Sequence, residues 1–236
     1  MICIIYRGML AFYTCFFGAD NNDRNFIPPV PSQTHPCYYY TNNERTLDRL
    51  VNTRWIPVRL EKPDMDSMMH AKWVKSCPHM LPELRPYEAT CYFDSALALN
   101  GDDVITLMTN MVKYSSYHVC MARHPFISKT WPPSAHSELR EALQQPRYAE
   151  KADVYCEYIR EQVESGLKDI DDIHFATGFI IRRNNPICRA MGEVWWAHIC
   201  RTGILCQLSF FFIQQMFRPH IFDIEFGSCF RRWGGQ

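Results

Sequence analysis

The chain has 236 residues, a length that suits one α/β core, and its 47% hydrophobic and 14% aromatic content is ample for a packed interior. Lys+Arg and Asp+Glu both number 25, so the formal net charge is zero. That balance argues against a nucleic-acid partner while leaving room for a local cationic pocket. Eleven cysteines contain no Cys-x-x-Cys pair, which leaves a zinc ribbon or thioredoxin-type motif unsupported. Cys15, Cys91 and Cys120 sit in apolar runs and read as small core residues of a reducing compartment.

The apolar N-terminus raises a targeting question. Arg7 and Gly8 interrupt it and no small-residue cleavage site follows, so residues 1–9 read as an extension of a cytoplasmic chain, with a membrane or secretory segment left open. No other stretch has the length and hydropathy of a membrane span. Residues 10–17 (LAFYTCFF) form a continuous apolar run closed by Gly18, the pattern of a buried strand. The turn-rich loop that follows, Gly18 to Asp23, would lie at the carboxyl edge of that strand, where open α/β sheets bind ligands; its alternative is a solvated turn. Residues 37–40 and 55–58 are further short strands.

Residues 64–77 (DMDSMMHAKWVKSC) carry a helical pattern, with Asp64 or Asp66 to cap the start and Pro78 to stop it. Met65, Met69 and Trp73 make the packed stripe. Lys72 and Lys75 share a face and present two cations, either to an anion or to water. Residues 90–93 deliver Asp94 to a strand end, where a carboxylate suits a divalent cation. Asp102 and Asp103 read as capping residues, residues 117–121 as a strand, and residues 138–167 as helical cladding broken near Pro146. Thr177 to Phe212 is the most site-like stretch. A strand ends in Arg182-Arg183-Asn184-Asn185-Pro186, a helical segment carries Trp195-Trp196, and Gln207-Leu208-Ser209 leads into a phenylalanine run. Polar groups beside paired flat side chains suit a sugar; the plain alternative for the tryptophans is core packing. Residues 218–236 form a C-terminal tail.

Taken together these segments resemble a GT-A-type glycosyltransferase-like family, once classed as a domain of unknown function, with bacterial polysaccharide-locus, algal and plant members. The pieces are AFYTCFFGAD, CYYYTNN, HAKWVKSCPHML, CYFDSAL, ARHP, TGFIIRRNN and EVWWAHI with QLSF, in register over residues 10–212. The resemblance implies a single nucleotide-binding α/β/α sandwich with a mixed central sheet. It also implies transfer of a sugar from a nucleoside-diphosphate sugar to a glycan or other hydroxyl acceptor, assisted by Mn²⁺ or Mg²⁺.

Under that resemblance Thr14, Gly18, Asp20 and Thr41 would line the donor's base and ribose, Lys72 and Lys75 would face its diphosphate, and Asp94 would hold the metal. Arg182, Trp195 and Trp196 would form the acceptor side, with Gln207 hydrogen-bonding a sugar hydroxyl. Two departures stand out. Asp94-Ser95-Ala96 keeps only the first carboxylate of Asp-x-Asp, and Leu205-Cys206-Gln207 replaces the family's Arg-Asp-Gln. His198 stands where the family usually has an acid, and as a group that titrates near neutrality it is the candidate base. The departures also define the alternative, a degenerate, non-catalytic relative that binds a glycan or a partner. A serine hydrolase or zincin has no Gly-x-Ser-x-Gly or His-Glu-x-x-His motif to support it.

Overall fold

The computed structural model describes residues 9–18, 26–62, 64–125 and 133–233. The chain runs β1 (Leu10–Phe16), β2 (Cys37–Thr41), α1 (Glu44–Leu50), β3 (Ile56–Arg59), α2 (Ser67–Ser76), β4 (Ala89–Phe93), β5 (Leu97–Leu99) and α3 (Gly101–Tyr114). It continues with β6 (Val119–Arg123), α4 (Ala135–Ala142), α5 (Pro146–Ala149), α6 (Ala152–Glu164), β7 (Phe175–Arg183), α7 (Pro186–Thr202), α8 (Cys206–Phe217), β8 (Ile221–Ile224) and β9 (Phe230–Arg232).

The central sheet has seven strands in the order β3-β2-β1-β4-β7-β6-β8. Strands β3, β2, β1 and β4 run parallel, while β7 is antiparallel to both β4 and β6. Strand β1 is buried along its whole length, which explains why its sequence is an unbroken apolar run: helices cover both faces of a parallel sheet. Alternate side chains feed two cores. Tyr13, Tyr92, Ile180, Met191, Trp195 and Phe210 pack on one face beneath α2, α7 and α8. Phe12, Phe93, Val104, Met108 and Phe179 pack on the other beneath α3. The result is the α/β/α sandwich with a mixed central sheet that the family resemblance implies. A third cluster, with Leu139, Tyr155, Tyr158 and Phe211, joins α4, α6 and α8.

Local chemistry sets the boundaries that matter for the site. Of the two candidate caps, Asp66 starts α2, its carboxylate accepting from Met69 N at 2.9 Å. Asn185 caps α7 through Cys188 N, Pro186 takes the first helical turn, and Gly203, at φ 65°, ends the helix. Asp102 and Asp103 lie within the first turn of α3, where carboxylates favour the helix dipole, and do not cap it. The expected tail is part of the fold: β8 extends the central sheet beside β6, and β9 pairs with β5. Both strands are too short to show a period in the sequence. The described cysteines are free thiols, and Cys15, Cys91 and Cys120 are buried as expected. Among the described residues no helix is long and apolar enough to cross a membrane.

Candidate functional site

Strand β1 is bonded to β2 on one side and to β4 on the other, so the strand order reverses between β1 and β4. Connections leave the sheet in opposite directions at such a point and open a crevice at the carboxyl ends. A cleft of about 1230 Å³ lies there. Cys15, Phe16 and Phe17 line it from the end of β1, Lys72 and Lys75 from α2, and Tyr92, Asp94 and Ser95 from the end of β4. Arg147 and Tyr148 from α5, and Arg232 from β9, close the remaining sides. Phe17 stacks on His70 with ring centroids 3.8 Å apart, and burial pushes that imidazole down to about 4.

Asp94 is the centre of this cleft. Its amide donates to Gly178 O at 2.8 Å, tying the strand end to β7. Its Oδ1 accepts from Tyr92 Oη at 2.7 Å and from Lys75 Nζ at 2.9 Å. A β-carbon at Gly178 would stand 3.0 Å from Oδ2, so glycine leaves room for the carboxylate. Burial alone would push the Asp94 pKa up, but Lys75 and then Lys72 outweigh it, and the carboxyl is held below its ordinary value. Burial likewise works against the Lys72 ammonium, and the neighbouring Cys206 and Asp94 overcome it and raise its pKa. Cys206, the position where the resembled family carries an acid, therefore sits beside a cleft lysine.

Lys75 is only 3% exposed, and it is set in place from below. Arg182 Nη1 donates to Lys75 O at 2.6 Å and to Tyr13 Oη at 3.2 Å. The Arg182 guanidinium in turn lies 5.7 Å from the ring centroid of Trp195. Trp195 Nε1 donates to Ser209 Oγ at 3.1 Å and to Cys206 O at 3.2 Å. Gly192 on α7 faces Ser76 O of α2 so closely that any β-carbon would collide with it, which fixes the height of the lysine-bearing helix.

The structure brings together Lys72, Lys75 and Asp94. The other residues expected at a site lie elsewhere, and Asp20 falls outside the described residues. Thr14 points to the opposite face of β1 from Cys15 and is fully buried. Thr41 is also fully buried, its hydroxyl accepting from Asn43 N. Gly18 stays at the strand end, where its carbonyl accepts from Asn43 Nδ2 at 2.9 Å.

On the expected acceptor side, Arg182 and Trp195 are core residues at 2% and 0% exposure, and Trp196 packs half-buried against the same cluster. The helical turn of 100° per residue splits the tryptophan pair, and neither member lines the cleft. Gln207 is spent on the sheet: Oε1 accepts from Thr177 N at 2.9 Å and Nε2 donates to Phe175 O. His198 faces α6, its Nδ1 2.7 Å from Tyr158 Oη, and burial lowers its pKa. Sequence reasoning missed Arg147, Tyr148 and Arg232. Residues 138–167 read as cladding and residues 218–236 as a tail, and no local pattern links either to Asp94; the proline break at Pro146 was the one usable signal.

The donor set for a divalent cation can be weighed directly. Asp94 is the one carboxylate lining the cleft among the described residues, and its Oδ1 already holds an ammonium and a phenol. No group of three His, Cys, Asp or Glu side chains that could hold a metal occurs among the described residues. The described side chains do not by themselves make a resident Mn²⁺ or Mg²⁺ centre, because such ions take oxygen ligands and the one carboxylate among them is already engaged at Oδ1.

No protein-family model matches the chain, and no curated protein matches it by sequence. Among solved structures it is similar to the apo form of mouse xyloside xylosyltransferase 1, at 10% identity over 91% of this chain and 84% of that one, with a TM-score of 0.47. It is also similar to the apo structure of the WbbM bifunctional glycosyltransferase, at 11% identity over 93% of this chain and a TM-score of 0.50. The chain spans 39% of that second protein. At such identity the likeness to WbbM speaks to the fold alone, and it agrees with the strand order above: the chain has a GT-A-like α/β/α fold.

Proposed function

We propose that the protein is a glycosyltransferase that moves a sugar from a nucleoside-diphosphate sugar to a hydroxyl acceptor in the cleft between β1 and β4, with the whole chain serving as one unit. The observation that carries this reading is the gathering of Lys72, Lys75, Arg147 and Arg232 around the end of β4, at the switch point of a GT-A-like sheet. In such a transfer the bond between the sugar's anomeric carbon and the diphosphate oxygen breaks. The acceptor oxygen takes its place and gives up its proton. Negative charge grows on the departing diphosphate, and preset cations that meet it there lower the barrier. Phe16, Phe17 and Phe26 supply the apolar wall that a base or a sugar face requires.

The test is release of nucleoside diphosphate from a panel of uridine and guanosine diphosphate sugars without acceptor. We expect slow release that Lys72→Ala abolishes, and no release with any donor or acceptor would sink the reading. A second reading, a non-catalytic relative that binds a nucleotide sugar or glycan, draws on one observation: Asp94 is neutralised by Lys75, and neither His198 nor Gln207 reaches the cleft. Donor binding without turnover across the panel would favour it.

A further inference from the structure

The carboxylate that the resemblance makes a metal ligand carries a cation of the protein's own. We propose that this cleft binds a diphosphate group without a divalent metal ion: the Lys75 ammonium holds the metal's place on Asp94, and Lys72 and Arg147 bind the phosphate oxygens. The inference deepens the reading above and rests on it only for the identity of the ligand.

Three observations support it. The Lys75 ammonium sits 2.9 Å from Asp94 Oδ1 while the Tyr92 hydroxyl holds the same oxygen at 2.7 Å. A divalent ion on that oxygen would have to share it with a positive charge, and like charges at contact distance in a half-buried site repel strongly. Lys75 also has little freedom to withdraw. Its side chain is 3% exposed, it lies 5.1 Å from the Tyr92 ring centroid, and its carbonyl is held by Arg182. Finally, among the described residues the cations lining the cleft outnumber the carboxylates, with Lys72, Lys75 and Arg147 set against Asp94. Asp94 neutralises Lys75, so among the described residues Lys72 and Arg147 present positive charge to the cleft, matched in sign to a diphosphate.

The arrangement divides the labour. Lys75 and Asp94 form a neutral, oriented pair that stiffens the end of β4 and keeps Asp94 from repelling phosphate. Lys72 is raised in pKa by Cys206 and Asp94 and stays charged at any physiological pH. Arg147 lines the same cleft from the short helix α5, its guanidinium 4.5 Å from the Tyr148 ring centroid, so Lys72 and Arg147 reach the ligand from different elements.

Calorimetric titration of the whole chain with inorganic pyrophosphate and with uridine diphosphate, in EDTA and then in Mn²⁺, tests this. We expect both probes to bind in EDTA at least as tightly as in Mn²⁺, with Lys72→Met and Arg147→Met each weakening binding roughly tenfold, the size of one charge-assisted hydrogen bond. Lys75→Met, which strips the ammonium from Asp94, should make binding dependent on Mn²⁺. Binding that requires Mn²⁺ in the unmodified protein, binding indifferent to Lys72 and Arg147, or no binding of either probe would each overturn the proposal. The outcomes separate it from the functional reading. Probes that bind in EDTA while no nucleotide sugar is ever cleaved leave the metal-free site standing and remove the transferase, whereas donor cleavage that needs Mn²⁺ does the reverse.

Discussion

Two regions of this molecule set cationic side chains beside aromatic rings and use them in opposite ways. At the carboxyl ends of β1 and β4 the polar groups face an open cleft, with Lys72, Lys75 and Asp94 beside Phe16 and Phe17. In residues 177–212, the more site-like stretch by composition, the same kinds of side chain turn inward. Arg182 and Trp195 are buried, and Gln207 binds the backbone of β7. The second region nevertheless serves the first. The relay from Ser209 through Trp195 and Arg182 to Lys75 O sets the lysine that neutralises Asp94. A polar residue in an apolar run can be a ligand contact or the satisfied interior of a support, and only the partner of its hydrogen bonds separates the two.

Substitutions in the supporting region should therefore cost stability. The largest effect is expected for Trp195→Ala, which empties a fully buried site and strands Arg182 above it. We expect a loss of about 3–5 kcal/mol, read from urea unfolding. Gly192→Ala forces a methyl group against Ser76 O and should cost about 1–3 kcal/mol. Because it lifts α2, it should also weaken pyrophosphate binding, so its effect spans both regions. Gln207→Ala leaves Thr177 N and Phe175 O without their partner, at about 1–3 kcal/mol. Its affinity for pyrophosphate should stay unchanged, and a large loss of affinity with little loss of stability would erase the distinction between the regions. His198→Ala should be mildest, at about 1 kcal/mol for the contact with Tyr158 and with donor cleavage intact.

Acid provides a finer probe. His70, beneath Phe17, is held neutral with its pKa lowered by burial from 6.5 to about 4 in the folded chain. The unfolded chain takes up that proton first, so the contribution is complete above pH 6.5 and is lost as pH falls towards 4. His124, stacked on His174 and likewise lowered to about 4, adds to the same fall. His70→Asn should make the urea midpoint less steep over that window without abolishing its slope. The Asp94 contribution has the same sign at lower pH: it is present above the ordinary carboxylate value of 3.8 and is lost as pH drops through the lowered folded value.

The sequence by itself determined β1, an interior strand of the sheet, because seven consecutive residues buried on both faces leave a nearly continuous apolar run. It determined α2, capped by Asp64 or Asp66, and the shared face of Lys72 and Lys75, because helix caps and the three-residue spacing are local. It also determined that Asp94 would follow the end of a strand. Only the tertiary structure decided which way Trp195, Arg182 and Gln207 point, since a residue's burial depends on what packs across from it. Only the fold brought Arg147 and Arg232 to Asp94 from distant parts of the chain. And only the contact of Lys75 with Asp94 Oδ1 assigned the carboxylate a partner, because an ammonium on a helix and a carboxylate on a strand acquire a common charge balance when the two elements meet.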